Sequence, residues 1–382
     1  MIYFDNAATT MAKPPEVVEA VAKAMASFGG VGRGVHPASL AAGRAVFDAR
    51  SRVAHLFDAP DASCVSFAAN ASAALNIAIQ GLLPDGGRAI TTAASHNSVL
   101  RPLNRARDER SCSVEVVPVG EDASIDFDVY RRALSRGDVD LVCATHSSNV
   151  TGDVYDIAFM ARLAHEAGAL FVLDAAQTAG ALPFSMRELD VDVVCFTGHK
   201  SLLGPQGTGG VCCMPHVSIR PLLEGGSGFD SYAERHPRIM PEALEAGTLN
   251  AHGIAGLAAG VAFVEERGVA RIAEGVRALT DRFEGGVAAL SRVRILGGRG
   301  GVDRTGIVAI DAEGVDPSEL SDMLAFEFDI CTRAGAHCAP LMHESLGTAD
   351  RGAVRFSFSS SNTLDEVDDG LIALERCLVR LR

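Results

Sequence analysis

The sequence predicts an α/β fold: a large domain whose mainly parallel sheet is covered by helices on both faces, then a smaller α+β domain. Three observations predict it. Apolar runs such as VDLVCAT (139–145) and VDVVCFT (191–197) recur, separated by helical stretches of about ten residues. After about residue 250 the texture becomes helix-rich and then returns to strands. The chain has 382 residues, 48% of them hydrophobic, which is long for a single core and ample for a buried sheet.

Element by element, Pro14-Pro15 followed by Val17, Val18, Val21 and Met25 predicts a first amphipathic helix, ended by Gly29-Gly30. Residues 30–37, GVGRGVHP, read as an irregular loop holding Arg33 and His36. Strands are expected at 64–68, 88–93, 114–119, 139–145, 169–174, 191–197 and 209–214. Helices are expected between them at 71–82, 98–110, 126–135 and 157–168. A helical stretch from 252 to 290 follows, then strands at 293–296, 305–311 and 354–359, a helix near 317–326 and a last helix from Leu364. The expected division is 12–250 for the large domain, with 1–11 and 251–382 forming the small one. GGRGG (297–301) reads as a turn without phosphate-loop context.

The 34 basic against 48 acidic residues, a net of −14, argue against a nucleic-acid or anionic-membrane surface. The nine cysteines are scattered, several inside apolar runs, and read as reduced thiols of a cytoplasmic protein. No CxxC pair appears, so no metal site is expected. No secretory signal and no transmembrane helix are expected either.

The most telling segment is VDVVCFTGHKSLLGPQGTGG (191–210). A strand ends at Thr197, and Lys200 follows among small residues, where partial desolvation releases the amine's proton near neutral pH. Asp174 ends the apolar run ALFVLD, at the carboxyl end of a strand, where open α/β sheets place ligands. There it either pairs with a ring nitrogen or simply caps a turn, with even weight by itself. Asn70, Ala71 and Ser72 sit between a strand and a helix, where free N–H groups bind a phosphate; Ser72 taken alone reads rather as an ordinary helix cap. His96 follows another strand end and suits acid–base work or stacking on a flat ring if it lies beside Lys200. Cys338, in the loop TRAGAHCAP, has His337 beside it and Arg333 nearby, two groups able to favour its thiolate. Its rival Cys331 ends the apolar run FDIC and reads as core.

In order, YFDNAATT, NASAALN, SHNSV, SNVTGDVYDI, DAAQ, GHKSLLGPQGTGG, EAGTLN, TRAGAHCAP and VRFSFSSSNT make a highly specific set over nearly the whole chain. This set resembles the class V aminotransferases, enzymes of fold type I that depend on pyridoxal 5′-phosphate, and within them the type II (Suf-type) cysteine desulfurases and selenocysteine lyases. The resemblance implies that Lys200 holds the cofactor covalently, Asp174 pairs with the pyridine nitrogen, Gln177 bonds the ring hydroxyl and His96 stacks on the ring. It implies Ser72 and its neighbour Ala71, Thr197 and His199 at the phosphate, with Thr248 reaching the phosphate of a partner subunit in a homodimer. It implies Asn149 at the cofactor–substrate adduct, Arg355 on the substrate carboxylate, Arg333 and His36 flanking the substrate, and Cys338 as sulfur acceptor. Ala71, Ala73, Ser95 and Ala336 depart from the family pattern.

The expected activity is therefore removal of sulfur from L-cysteine, giving L-alanine and a persulfide on Cys338, with a sulfur-acceptor protein downstream. Selenocysteine lyase or cysteine-sulfinate activity uses the same residues and is the first rival. Transamination or epimerisation, which would make Cys338 incidental, is the second. A sulfur-relay scaffold with little turnover is the third, disfavoured by the complete Lys–Asp–His–Arg–Cys set.

Overall fold

The computed structural model describes residues 1–32, 34–298 and 303–381. Arg33 of the 30–37 loop and most of the 297–301 turn lie outside the described residues.

The chain opens with a two-residue strand β1 (Ile2–Tyr3), then α1 (Pro15–Ser27) and α2 (Pro37–Leu56). Strand β2 (Val65–Ala68) follows, then α3 (Ala71–Leu82), β3 (Arg88–Thr92), α4 (Asn97–Arg110), β4 (Ser113–Val117), α5 (Phe127–Ser135) and β5 (Leu141–Thr145). Helix α6 (Ile157–Glu166) leads to β6 (Leu170–Asp174), β7 (Val193–Thr197) and β8 (Gly209–Cys213). The C-terminal part holds α7 (Ala251–Arg267), α8 (Val269–Ala288), β9 (Val293–Leu296), β10 (Ile307–Ala312), α9 (Pro317–Phe328), β11 (Ile330–Cys331), β12 (Arg333–Gly335), α10 (Pro340–Ser345), β13 (Ala353–Ser357) and α11 (Leu364–Leu381).

The predicted architecture is present. A seven-stranded sheet runs β2-β8-β7-β6-β5-β3-β4. Its pairs are parallel except β2–β8 and β7–β8. Strands β5, β7 and β8 are buried at every residue, which is why they read as unbroken apolar runs instead of alternating ones. Apolar cores lie on both faces, one containing Val142, Leu173 and Val194, the other Cys143, Val172 and Cys195. A second, antiparallel sheet runs β12-β13-β10-β9, backed by α8, α9 and α11 around Phe283, Val308, Phe356 and Leu374.

Helix α2 was not anticipated from the sequence. Its signal was present: Pro37 is preset for the first helical turn, and Ala42, Val46, Ala49 and Val53 recur on one buried face. Helix α7 packs on α1 and α2, and its Ile254, Leu257 and Val261 join the core of the large sheet. The run FDIC is no core strand. Phe328 closes α9, Asp329 turns left-handed, and Cys331 is only half-buried, paired through β11 with β1.

Candidate active site

Lys200 is fixed by its backbone before its side chain acts. Beyond Thr197 the chain turns at Gly198, whose N–H donates to the Thr208 carbonyl at 2.8 Å. A Cβ on Gly198 would stand 2.2 Å from Thr208 Oγ1, so only glycine permits this approach. The Lys200 carbonyl accepts from the Thr10 hydroxyl at 2.9 Å and from Leu203 N–H at 2.9 Å. The side chain lines a partly open cleft of about 100 Å³. Burial, aided by the charge of Arg355, lowers the Lys200 amine to about 8, which leaves a usable neutral fraction near physiological pH.

The cleft lies at the carboxyl ends of the parallel strands, and nine predicted residues line it: Lys200, Asp174, Gln177, His96, Ala71, Ser72, Asn149, Thr197 and His199. Asp174 is buried, one oxygen accepting from Ala176 N–H at 3.0 Å. It therefore does bind a turn, as its other reading held, yet no cationic side chain pairs with it at ion-pair distance among the described residues. Burial raises its carboxyl, opposed by the Ala176 N–H and Lys200. A buried carboxylate in this state is strongly favoured by a cationic N–H presented from the cleft.

Asn70 and not Ser72 caps α3, accepting from Ala73 N–H at 2.9 Å. The first N–H groups of α3 have no intrahelical partner, and with Ala71 and Ser72 lining the cleft this helix end can receive an anion. Ser72 Oγ lies 2.6 Å from Ser98 Oγ, which reaches His96 Nδ1 at 2.9 Å. His96 Nδ1 also accepts from Ser98 N–H at 3.0 Å, so the ring proton sits on Nε2. Burial and the neighbouring charge of Lys200 lower His96 to about 4. At neutral pH it is therefore an uncharged flat ring, which suits stacking. His199 is likewise lowered to about 4, by burial, Lys200 and Lys13, and its Nδ1 is 3.0 Å from Thr9 Oγ1. A ring with a phosphate and a protonatable nitrogen fits this donor set, because helix N-terminal N–H groups, a buried carboxylate without a cationic partner and a lysine line one cleft.

Three further predicted residues do not line the cleft but are linked to residues that do. Arg355 is almost fully buried; Nη1 donates to the Asn149 carbonyl at 2.9 Å and Nη2 to Asp5 Oδ1 at 3.0 Å, while Nε has no partner. The charges of Arg355 and Arg333 reach both Lys200 and His96. Cys338 is exposed, and its backbone is tied into the site from two sides. Asn97 N–H donates to its carbonyl at 2.8 Å, and Asn149 Nδ2 donates to the carbonyl of His337 at 2.6 Å. The expected help from His337 is absent: its ring is buried, lowered to about 3 by that burial, and bonded to the Arg333 carbonyl at 3.0 Å. It carries no charge to lend the thiol at neutral pH.

Two predicted residues are not brought to the cleft of their own chain. Thr248 is exposed and lines a separate groove with Gly32, Arg50 and Glu245. His36 is exposed, its Nε2 3.1 Å from Ser39 Oγ. Sequence reasoning gave no role to Asp5, Asn97 and Ser98, although each lies inside a quoted motif, YFDNAATT or SHNSV.

The class-V aminotransferase profile matches residues 2–369. A probable cysteine desulfurase of Methanothermobacter thermautotrophicus is 32% identical, over 96% of this chain and 92% of its own. A cysteine desulfurase of Cereibacter sphaeroides is 33% identical, over 100% and 95%. Among solved structures, an apo cysteine desulfurase of Thermococcus onnurineus superposes with a TM-score of 0.93 at 31% identity, covering 100% of this chain and 95% of that one. The cysteine desulfurase CsdA of Escherichia coli, in an S-sulfonic acid form, gives 0.89 at 28% identity with the same coverage.

Proposed function

This chain belongs to the class-V aminotransferase family, and on that footing we propose that it removes the sulfur of L-cysteine, releasing L-alanine and leaving a persulfide on Cys338. The observation that carries this reading is the hydrogen bond from Asn97 N–H to the Cys338 carbonyl, which ties the loop bearing this exposed thiol to the residue between His96 and Ser98, both of which line the Lys200 cleft.

Pyridoxal phosphate, when bound, withdraws electrons from the substrate Cα and so loosens its proton and, in turn, its sulfur. Lys200 would hold it, Asp174 would keep its ring nitrogen protonated, and Gln177 would bond its hydroxyl. Ser72, Thr197, His199 and the N–H groups at Ala71 and Ser72 would receive its phosphate, and the neutral ring of His96 would lie on its face.

The remaining work belongs to side chains already in place. Arg355 receives the substrate carboxylate; its unpartnered Nε supplies a buried donor for that purpose. Asn149 and Asp5 keep the guanidinium oriented. Arg333 adds positive charge beside it. The amine of Lys200, with its lowered affinity for protons, takes and returns protons at the substrate carbon. The Cys338 sulfur then attacks the substrate sulfur. A new S–S bond forms, the C–S bond breaks, and its electron pair stays on carbon, where a proton completes alanine. The balance is cysteine plus Cys338–SH giving alanine plus Cys338–S–SH.

Thr248 and His36 find roles in a homodimer, where each would enter the neighbouring copy's site. No helix among the described residues is long and apolar enough to cross a membrane. The free, mostly buried cysteines suit the reducing cytoplasm. A sulfur-acceptor protein would then take the outer sulfur of the exposed Cys338.

The test is to incubate the purified holoenzyme with L-cysteine and measure alanine, sulfide and protein-bound sulfur together. Alanine and bound sulfur rising in step, both lost in Cys338→Ala while the cofactor stays bound, is the expected result. Alanine and sulfide released undiminished by that variant would overturn it.

A further inference from the structure

Behind Cys338 lie two buried imidazoles that the chemistry above does not use. The rings of His337 and His343 stack with centroids 5.6 Å apart. His337 Nε2 stands 3.0 Å from the Arg333 carbonyl oxygen. A carbonyl only accepts, so that nitrogen carries the ring's proton. His337 Nδ1 is then an acceptor, and His343 Nε2, 3.4 Å away, donates to it. This leaves His343 Nδ1 to accept from the Thr348 hydroxyl at 2.8 Å. Both histidines are lowered, chiefly by burial, so the neutral tautomers this chain requires are the stable ones. The donors all point one way: Thr348 to His343, His343 to His337, His337 to the Arg333 carbonyl.

The relay ends on a strained piece of backbone. His337 and Cys338 both sit at positive φ, 50° and 58°. Left-handed non-glycine residues each cost roughly 1–2 kcal/mol and persist only where their surroundings impose them. Here the His337 ring bond to residue 333 closes the loop, and the Ala339 carbonyl accepts from His343 N–H at 3.2 Å. Thr348 is held in turn by its N–H to the His343 carbonyl at 2.9 Å.

We propose that His343 is a positioning residue for Cys338: with Thr348 behind it, it locks the His337 ring onto the Arg333 carbonyl and so enforces the left-handed pair that presents the sulfur. The proposal rests on the reading of Cys338 as sulfur acceptor.

The test compares Thr348→Val, His343→Leu and His343→Gln as holoenzymes, with Cys338→Ala in parallel, on L-cysteine and L-selenocysteine. Thr348→Val keeps the volume and removes the first donor. His343→Gln keeps a donor toward His337. Misplacement of a reacting group by an ångström costs on the order of 100-fold. Thr348→Val and His343→Leu are therefore expected to lose roughly 10- to 100-fold in kcat on L-cysteine at unchanged KM, with little change on L-selenocysteine, because release of selenium depends less on an attacking thiol than release of sulfur does. His343→Gln is expected to restore most of the loss. Equal losses on both substrates, or no rescue by glutamine, would overturn the proposal. If His343→Leu does not fold, Thr348→Val decides. Should Cys338→Ala retain its cysteine turnover, the sulfur-acceptor reading is what fails. Amide exchange across residues 336–339 then judges the positioning role alone: faster in Thr348→Val supports it, unchanged refutes it.

Discussion

Asn97→Pro isolates the contact that brings the thiol home. Asn97 is the first residue of α4, where proline is tolerated, and His96 before it is extended at φ −67° and ψ 156°, as a residue preceding proline requires. The substitution deletes the N–H that donates to the Cys338 carbonyl at 2.8 Å, together with the Asn97 carboxamide, which makes no hydrogen bond among the described residues. A hydrogen bond of this kind contributes about 1 kcal/mol net. Proline returns about 0.4–1 kcal/mol by restricting the unfolded chain. The two nearly cancel, so the melting temperature is expected to move by only a few degrees. Turnover is expected to behave differently, because Cys338 loses one of its two backbone ties and its left-handed conformation loses support. A drop of 10- to 100-fold on L-cysteine is expected, following the cost of small misplacements. Initial-rate measurements of alanine on the folded, cofactor-loaded variant, beside a thermal melt, make the comparison. Full turnover at unchanged stability would show that the reaction does not need the thiol where this contact holds it.

Arg355→Met should raise KM for L-cysteine by about 10- to 100-fold, the equivalent of one charge-assisted contact of about 1.5–3 kcal/mol. It should also cost about 3 kcal/mol of stability, the low end for a broken buried pair because Asp5 keeps some solvent; an unchanged KM would remove Arg355 from the carboxylate. In cofactor-free protein, Lys200 releases its proton near 8 when folded and near 10.5 when unfolded. Between those values the unfolded chain binds the extra proton, so stability rises with pH, by about 3 kcal/mol in all. Denaturant titrations at pH 7 and pH 10 should show that rise in wild type and its loss in Lys200→Met; equal slopes would contradict it. Gly198→Ala forces a Cβ to 2.2 Å from Thr208 Oγ1 and should displace Lys200, weakening the absorption of bound cofactor. Thr208→Ala in the same chain should recover part of it, and an unaffected single variant would refute the packing argument.

The parallel sheet was legible because strands covered on both faces must be apolar throughout, and the site followed because ligands collect where such strands end. Asp174, Thr197 and Lys200 could be placed from that rule and the small residues around them. Helix α2 is faint in the sequence because its buried face is built largely of small residues, with Val46 and Val53 seven residues apart among several arginines, directly after a glycine-rich stretch. The charge state of His337 is hidden from the sequence for a different reason. A histidine beside a cysteine in sequence looks like a cationic neighbour, but the fold turns its ring inward onto the Arg333 carbonyl, and burial keeps it neutral. Asp5 and Asn97 act across separations in sequence that no local pattern reveals: Asp5 reaches Arg355, and Asn97 reaches Cys338. The two-residue pairing of β1 with β11 is equally a product of tertiary structure.

Of the nine thiols in the chain, Cys338 is the one expected to receive the substrate's sulfur. Mass spectrometry of peptides from holoenzyme exposed to L-cysteine without reductant tests it most directly. The expected spectrum shows the peptide containing Cys338 heavier by one sulfur atom, with the other eight cysteines unchanged. An unmodified Cys338 alongside sulfur on another cysteine, or alanine formed with every thiol unmodified, would contradict the account.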